Sequence, residues 1–265
     1  MSSALINESY KELINILKYF RHFGSPTIIG GWAVYFYNSY YGSVDIDIIG
    51  PSMRGQFNSV LDNYVRDYKY TIIKLDDFGL QTTAHKDVFH DNEKVGAIEI
   101  DAATFEEKES IKFHEDKNKV LPYSLCANDR LRVEVTVEKD SFCYIPTKTL
   151  LLLYKIKAWR DRAFDIRTKG ATMLEERLAW MQAKVAKDQS DIIAILDPNP
   201  NKKVADGTID ANQLQNTCKD YAIGSLVRQS LEELRYSSEP LKFYKPNLRL
   251  EALEAWVKPL LKVIV

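Results

Sequence analysis

Apolar positions change their period along the chain, and each change marks an element. Residues 8–22 carry Leu13, Ile14, Leu17 and Phe20 at helical spacing, which predicts an amphipathic helix. Gly24-Ser25-Pro26 ends it. Thr27 to Ile29 reads as a short apolar strand, Gly30-Gly31 breaks it, and Trp32 to Tyr40 reads as a helix with aromatic residues on much of its surface. Val44 to Ile49 then alternates as a strand, which Gly50-Pro51 stops. A helix is expected around Arg54–Tyr64, with strands at Tyr70–Leu75, Leu80–Ala84, Val95–Asp101 and Leu131–Val137.

From Pro146 the character is helical. Thr147–Arg162 reads as a strong helix, Leu174–Ala186 as a second, and Lys187–Leu196 as a third. The breaker Asp197-Pro198-Asn199-Pro200-Asn201 follows, and two further helices are expected over 210–235 and 248–263. The run from Trp256 to Val265 is apolar enough to need a covering surface. The expected fold class is α+β: a mixed twisted sheet with helices over 1–145, followed by a helical half over 146–265.

Composition narrows the class without naming a chemistry. The 265 residues are 45% hydrophobic and 28% charged, as in an ordinary soluble globular protein. No window approaches 18 consecutive apolar residues, so no membrane partner is expected. The amino-terminal segment lacks the basic start and apolar run of a secretory signal. Cys126, Cys143 and Cys218 are far apart and odd in number, which predicts a reducing, cytoplasmic setting without disulfides. His85 and His90 have no zinc-ligand spacing. A net charge of −1 gives no global argument for nucleic-acid binding and leaves a local basic groove open.

Candidate chemistry gathers at the first strands. Gly30-Gly31, between a strand and a helix, leaves backbone amides unobstructed where the helix dipole is positive, a cradle for a triphosphate. Asp45 and Asp47 are two apart on a strand, so both carboxylates share a face while Ile46 and Ile48 point to the core. Two such oxygen ligands suit magnesium, which takes one or two carboxylates plus substrate phosphates. A third carboxylate is expected from Asp101, with Glu99 on the same strand face as its substitute. That group would bind a second metal and help deprotonate an attacking hydroxyl. The plainer readings are solvated strand acids for Asp45, Asp47, Glu99 and Asp101, and a tight turn for the glycines. For Lys155 the plain reading is a snorkelling side chain, for Arg160 and Arg162 surface charges, and for Asp188 a helix N-cap.

The string Ile29-Gly30-Gly31, followed by Asp45-Ile46-Asp47-Ile48, resembles the signature of the DNA polymerase β nucleotidyltransferase superfamily. Two later segments resemble its AbiEii-type branch, which includes abortive-infection proteins and MenT-like toxins. They are the helix Lys155-Ile156-Lys157-Ala158-Trp159-Arg160-Asp161-Arg162 and the run Lys187-Asp188-Gln189-Ser190-Asp191-Ile192. The likeness is confined to motifs across residues 27–196. Gly42-Ser43-Val44 departs from it, standing where relatives often carry basic or Thr-rich residues. The resemblance implies transfer of a nucleoside monophosphate from an NTP to a hydroxyl, with release of pyrophosphate. It implies two Mg2+ ions, with Mn2+ as a substitute, held by Asp45, Asp47 and Asp101. Lys155 would contact the nucleotide phosphates and Asp188 would sit in the active site. Arg162, seven residues on, would share the helix face of Lys155. The acceptor would be RNA (tRNA among the candidates), a protein or a small molecule. A toxin–antitoxin or phage-defence setting would add an antitoxin or regulatory protein as partner. Two other outcomes stand beside this one: a nucleotide-binding module of the same fold without the chemistry, and a small-molecule adenylyltransferase of the antibiotic-modifying kind.

Overall fold

The computed structural model describes residues 3–51, 56–75 and 82–264. The expected helix start at Arg54 and strand start at Leu80 lie outside them. The elements run α1 (Ser3–Phe20), β1 (Thr27–Ile28), α2 (Gly30–Tyr37), β2 (Ile46–Gly50), α3 (Gln56–Asp67), β3 (Thr71–Leu75), β4 (Thr82–His90), β5 (Glu93–Thr104), β6 (Arg132–Glu138) and β7 (Ser141–Pro146). Then come α4 (Lys148–Lys169), α5 (Glu175–Leu196), α6 (Ala211–Asp220), α7 (Gly224–Leu234), α8 (Ser238–Tyr244) and α9 (Leu250–Val263). No described helix is long and apolar enough to cross a membrane. The chain is therefore a mixed α/β part followed by a helical part.

The chain forms two compact units. The first comprises residues 1–107, 122–147 and 202–206, and the second residues 108–121, 148–201 and 207–265. The main crossing between them is at Thr147/Lys148. Two short segments cross the other way.

In the first unit seven strands form one mixed sheet, in the order β3-β4-β5-β2-β1-β7-β6. β2 runs parallel to β5 and β1 parallel to β7, while the remaining pairs are antiparallel. The two-residue β1 thus joins the two halves of the sheet. α1 buries Leu13, Ile14, Leu17 and Phe20, the residues whose helical spacing predicted it, and Ile16 beside them. Its one buried acid, Glu12, accepts hydrogen bonds from Tyr64 Oη (2.7 Å), Tyr70 Oη (3.1 Å) and Lys86 Nζ (2.8 Å), so a charge taken from water is fully answered. Burial first, and then that carboxylate, pushes both phenol pKa values far above normal. Residues 202–206 strap onto α2: the amides of Val204 and Ala205 both donate to Phe36 O at 2.8 Å, and Ser39 N donates to Lys202 O at 3.0 Å.

In the second unit α4 and α5 form an antiparallel hairpin, with the smaller helices around its base. Segment 108–121 lies along α4. Arg160 grips the Glu115 carboxylate with two donors, the amide of His114 donates to Asp161 Oδ1 (2.8 Å), and Lys157 donates to Ser110 O (2.7 Å). Arg160 is therefore a structural clamp and not a surface charge. Within the terminal run Val257, Leu260 and Ile264 are buried, as is Leu253 before it, and Arg228 donates to the carbonyls of Leu261 and Ile264.

Four element expectations are corrected. The helices expected at 174–186 and 187–196 are one continuous α5, because nothing around Ala186-Lys187 interrupts the backbone ladder. The single helix over 210–235 is α6 and α7, separated where Ala222 takes a positive φ of 52°. α8 was not foreseen, because Pro240 in its first turn reads as a breaker although proline is tolerated there. β7 was also missed. Its alternation, buried at Ser141, Cys143 and Ile145, is short and begins at the turn residue Asp140.

Candidate active site

Asp47 and Asp101 are register partners on the parallel pair β2–β5, flanked by the buried pairs Ile46–Ile100 and Ile48–Ala102. Residues paired across neighbouring strands point to the same face about 4.8 Å apart, so the two half-buried carboxylates stand side by side. Glu99 lies on that face two residues earlier and faces His85 of β4. Asp45 is half-buried and stands one residue before β2 begins.

The loop and helix around these acids are fixed by specific contacts. The amide of Ile29 donates to Asp47 O (3.0 Å), tying the end of β1 to β2 at the acid itself. Gly30 opens α2 with φ +66°, and a Cβ there would lie 1.8 Å from Asp47 Oδ2. Only glycine lets the helix start this close to the carboxylate. Gly31 follows in the first turn and is buried. Val44, next to Asp45, is pinned through its carbonyl by Ser9 Oγ (2.8 Å), and Ser9 accepts from Trp32 Nε1 (3.2 Å). The aromatic residues Trp32, Phe36 and Tyr37 of α2 are buried core, and the Tyr37 hydroxyl donates to Pro146 O (2.9 Å).

The second unit holds the other predicted residues in a network of charges. Lys155 Nζ lies 3.3 Å from Asp188 Oδ1 and 2.7 Å from Asp191 Oδ2, with the lysine side chain 9% exposed. Asp191, 1% exposed, also takes Lys187 Nζ at 3.0 Å, and Asp188 also takes Arg162 Nη1. Lys155 therefore does not snorkel to solvent. Asp188 is not an N-cap either, because α5 runs unbroken from Glu175 to Leu196. The resemblance gave Lys155 and Asp188 separate roles and placed Lys187 and Asp191 in the same motif without a role; their i, i+4 spacing was the available signal for the pair.

The structure thus brings Asp47 and Asp101 together in one unit, beside Gly30, and Lys155, Arg162 and Asp188 together in the other. Among the described residues no group of three or more His, Cys, Asp and Glu converges on a metal position. The paired acids still fit a magnesium ion, which completes its shell with water and substrate phosphate.

No protein-family profile matches the chain, and no curated protein matches it. Solved structures similar to it include a protein from H. pylori provisionally named a nucleotidyltransferase. That likeness is 10% in sequence identity, over 100% of this chain and 96% of that one, with a TM-score of 0.37. Another is JHP933 from Helicobacter pylori, at 15% identity over 92% of this chain and 98% of that one, with a TM-score of 0.36.

Proposed function

We propose that this protein is a metal-dependent nucleotidyltransferase that moves a nucleoside monophosphate from an NTP to a hydroxyl acceptor and releases pyrophosphate. The observation that carries the reading is the side-by-side register of Asp47 and Asp101, with Gly30 against the Asp47 carboxylate. Like charges set opposite one another on a sheet are destabilising, so a fold without need of them has no physical reason to place them there.

In this reading Asp45, Asp47 and Asp101 hold magnesium, or manganese in its place. Two ions are proposed, with Glu99 as the substitute for Asp101. The metal supplies Lewis-acid stabilisation of charge developing on the phosphate oxygens. The amides of Gly30 and Gly31, at the start of α2, donate to the triphosphate. Asp101 is proposed to help take the acceptor hydroxyl's proton. Lys155 and Arg162 are proposed as phosphate ligands and Asp188 as the carboxylate that holds them in the nucleotide's absence. The motif resemblance supports RNA, with tRNA as one candidate, as the acceptor. It also supports a cytoplasmic toxin–antitoxin or phage-defence role with an antitoxin or regulatory partner.

The test is transfer of label from each α-labelled NTP, with Mg2+, to total RNA. Label in an RNA species, absent with Asp47→Ala, is the expected result. Label on a protein or small molecule would move the acceptor, and transfer by Asp47→Ala equal to the parent would overturn the site.

A further inference from the structure

The far half of the α4–α5 hairpin presents aromatic rings and cations together in water. Trp180 on α5 is 41% exposed, and Leu174 just before that helix is 81% exposed. Trp32 and Trp159, by contrast, are buried in their units. The Arg177 guanidinium lies 4.3 Å from the Trp180 ring centroid and the Lys184 ammonium 5.2 Å from it. Both cations are on Trp180's own helix, three residues before it and four after. They are seven residues apart, about 10 Å along the axis. On the facing helix α4, Arg167 lies 5.5 Å from the half-buried Phe164 ring, and the exposed Lys169 beyond it pairs with Asp165 at 2.9 Å. Glu175, Glu176, Arg177, Ala179 and Trp180 are all exposed, so this part of α5 is wetted on most sides and carries two acids on the turn before Trp180.

We infer that this arm is a docking surface for single-stranded RNA, with a base stacked on Trp180 and the flanking phosphates on Arg177 and Lys184. The inference rests on the proposed transfer to RNA and names where the acceptor strand is held. A flat ring left in water between two cations about 10 Å apart matches the alternation of base and phosphate along a strand. Sequence-tolerant single-strand binders use the same combination. Cations already resting on the ring can turn to phosphate without leaving the aromatic edge, because cation–π contact at an exposed site is weak. The overall charge of −1 gives no general attraction for RNA, so binding must come from such a local patch.

The test is fluorescence anisotropy of a labelled single-stranded 12-mer RNA titrated with the full chain at several salt concentrations. The parent should bind the single strand more tightly than the duplex of the same sequence. Trp180→Ala should weaken binding by about tenfold, the scale of one lost stack. Trp180→Phe should stay within about threefold of the parent. Arg177→Glu with Lys184→Glu should weaken binding and flatten the salt dependence. Asp47→Asn, which removes transfer in the proposed function, should bind RNA as the parent does. Parent-like binding by Trp180→Ala, or no binding of the strand by the parent, would overturn the inference. RNA binding that depends on Trp180, in a parent without transferase activity, would instead overturn the proposed function and leave the arm's role standing.

Discussion

A side chain on Gly30 would strike Asp47: its Cβ would fall 1.8 Å from Oδ2 of that carboxylate. The start of α2 and the acid on β2 are therefore a single packed feature, and the glycine is needed for space as well as for its φ of +66°.

Gly30→Ala should accordingly separate two effects. The positive φ costs a non-glycine residue about 1–2 kcal/mol, which lowers the melting temperature of a chain this size by a few degrees. The displaced Asp47 carboxylate should reduce nucleotide transfer far more, by about a hundredfold or beyond. Thermal unfolding and label transfer on one preparation check both. Activity kept at the parent level would detach Gly30 from the chemistry.

Asp47→Asn and Asp101→Asn each remove one of two like charges from neighbouring strands. Relief of that repulsion predicts unfolding midpoints equal to or above the parent's, together with loss of transfer. Urea denaturation beside the label assay reads the two quantities. A marked fall in stability would mean that the acids serve the fold.

Asp191→Ala should be among the most damaging single changes in the second unit. It leaves Lys155 and Lys187 without the carboxylate they share, and removing one partner of a buried ion pair costs about 3–5 kcal/mol. Asp188→Asn keeps the shape and the Asp191 pairs, so its effect on the urea midpoint should be smaller. Equal midpoints for Asp191→Ala and the parent would show that the network contributes nothing to stability.

All three cysteines are buried, and burial pushes the Cys143 thiol far up and the Cys218 thiol up to about 12. Native protein should therefore react with a disulfide reagent at pH 8 only after denaturation. The linkage has a sign. Unfolded thiols ionise near pH 9.0 while the native ones stay protonated, so the stability they contribute is full below pH 9.0 and is lost as pH rises above it. Cys143→Ala with Cys218→Ala should flatten that alkaline fall in the urea midpoint.

Much of the sheet was legible in the sequence because burial on one face leaves a period of two. Asp47 with Ile46 and Ile48, and Asp101 with Ile100, predicted both their strands and their facing. The register that sets Asp47 beside Asp101 was not legible, since two alternating strands pair equally well in several offsets until the rest of the fold chooses one. The helical part lost detail for a different reason. Ala222 takes the left-handed conformation usually left to glycine, and so the break between α6 and α7 carries no sequence mark. Lys155 could be read as a lysine on a leucine-rich helix, but its two carboxylates come from another helix, 33 and 36 positions on.

The strap of residues 202–206 on α2 sets an order for the protein's birth on the ribosome. The last strand of the sheet ends at Pro146, yet the amides that occupy Phe36 O are made about sixty residues later. At ordinary elongation rates that delay is about 3–12 s. Throughout it the first unit is a nearly finished body with an open flank beside α2. A nascent chain stalled between α4 and residue 202 would be held in that incomplete form, a natural client for a chaperone.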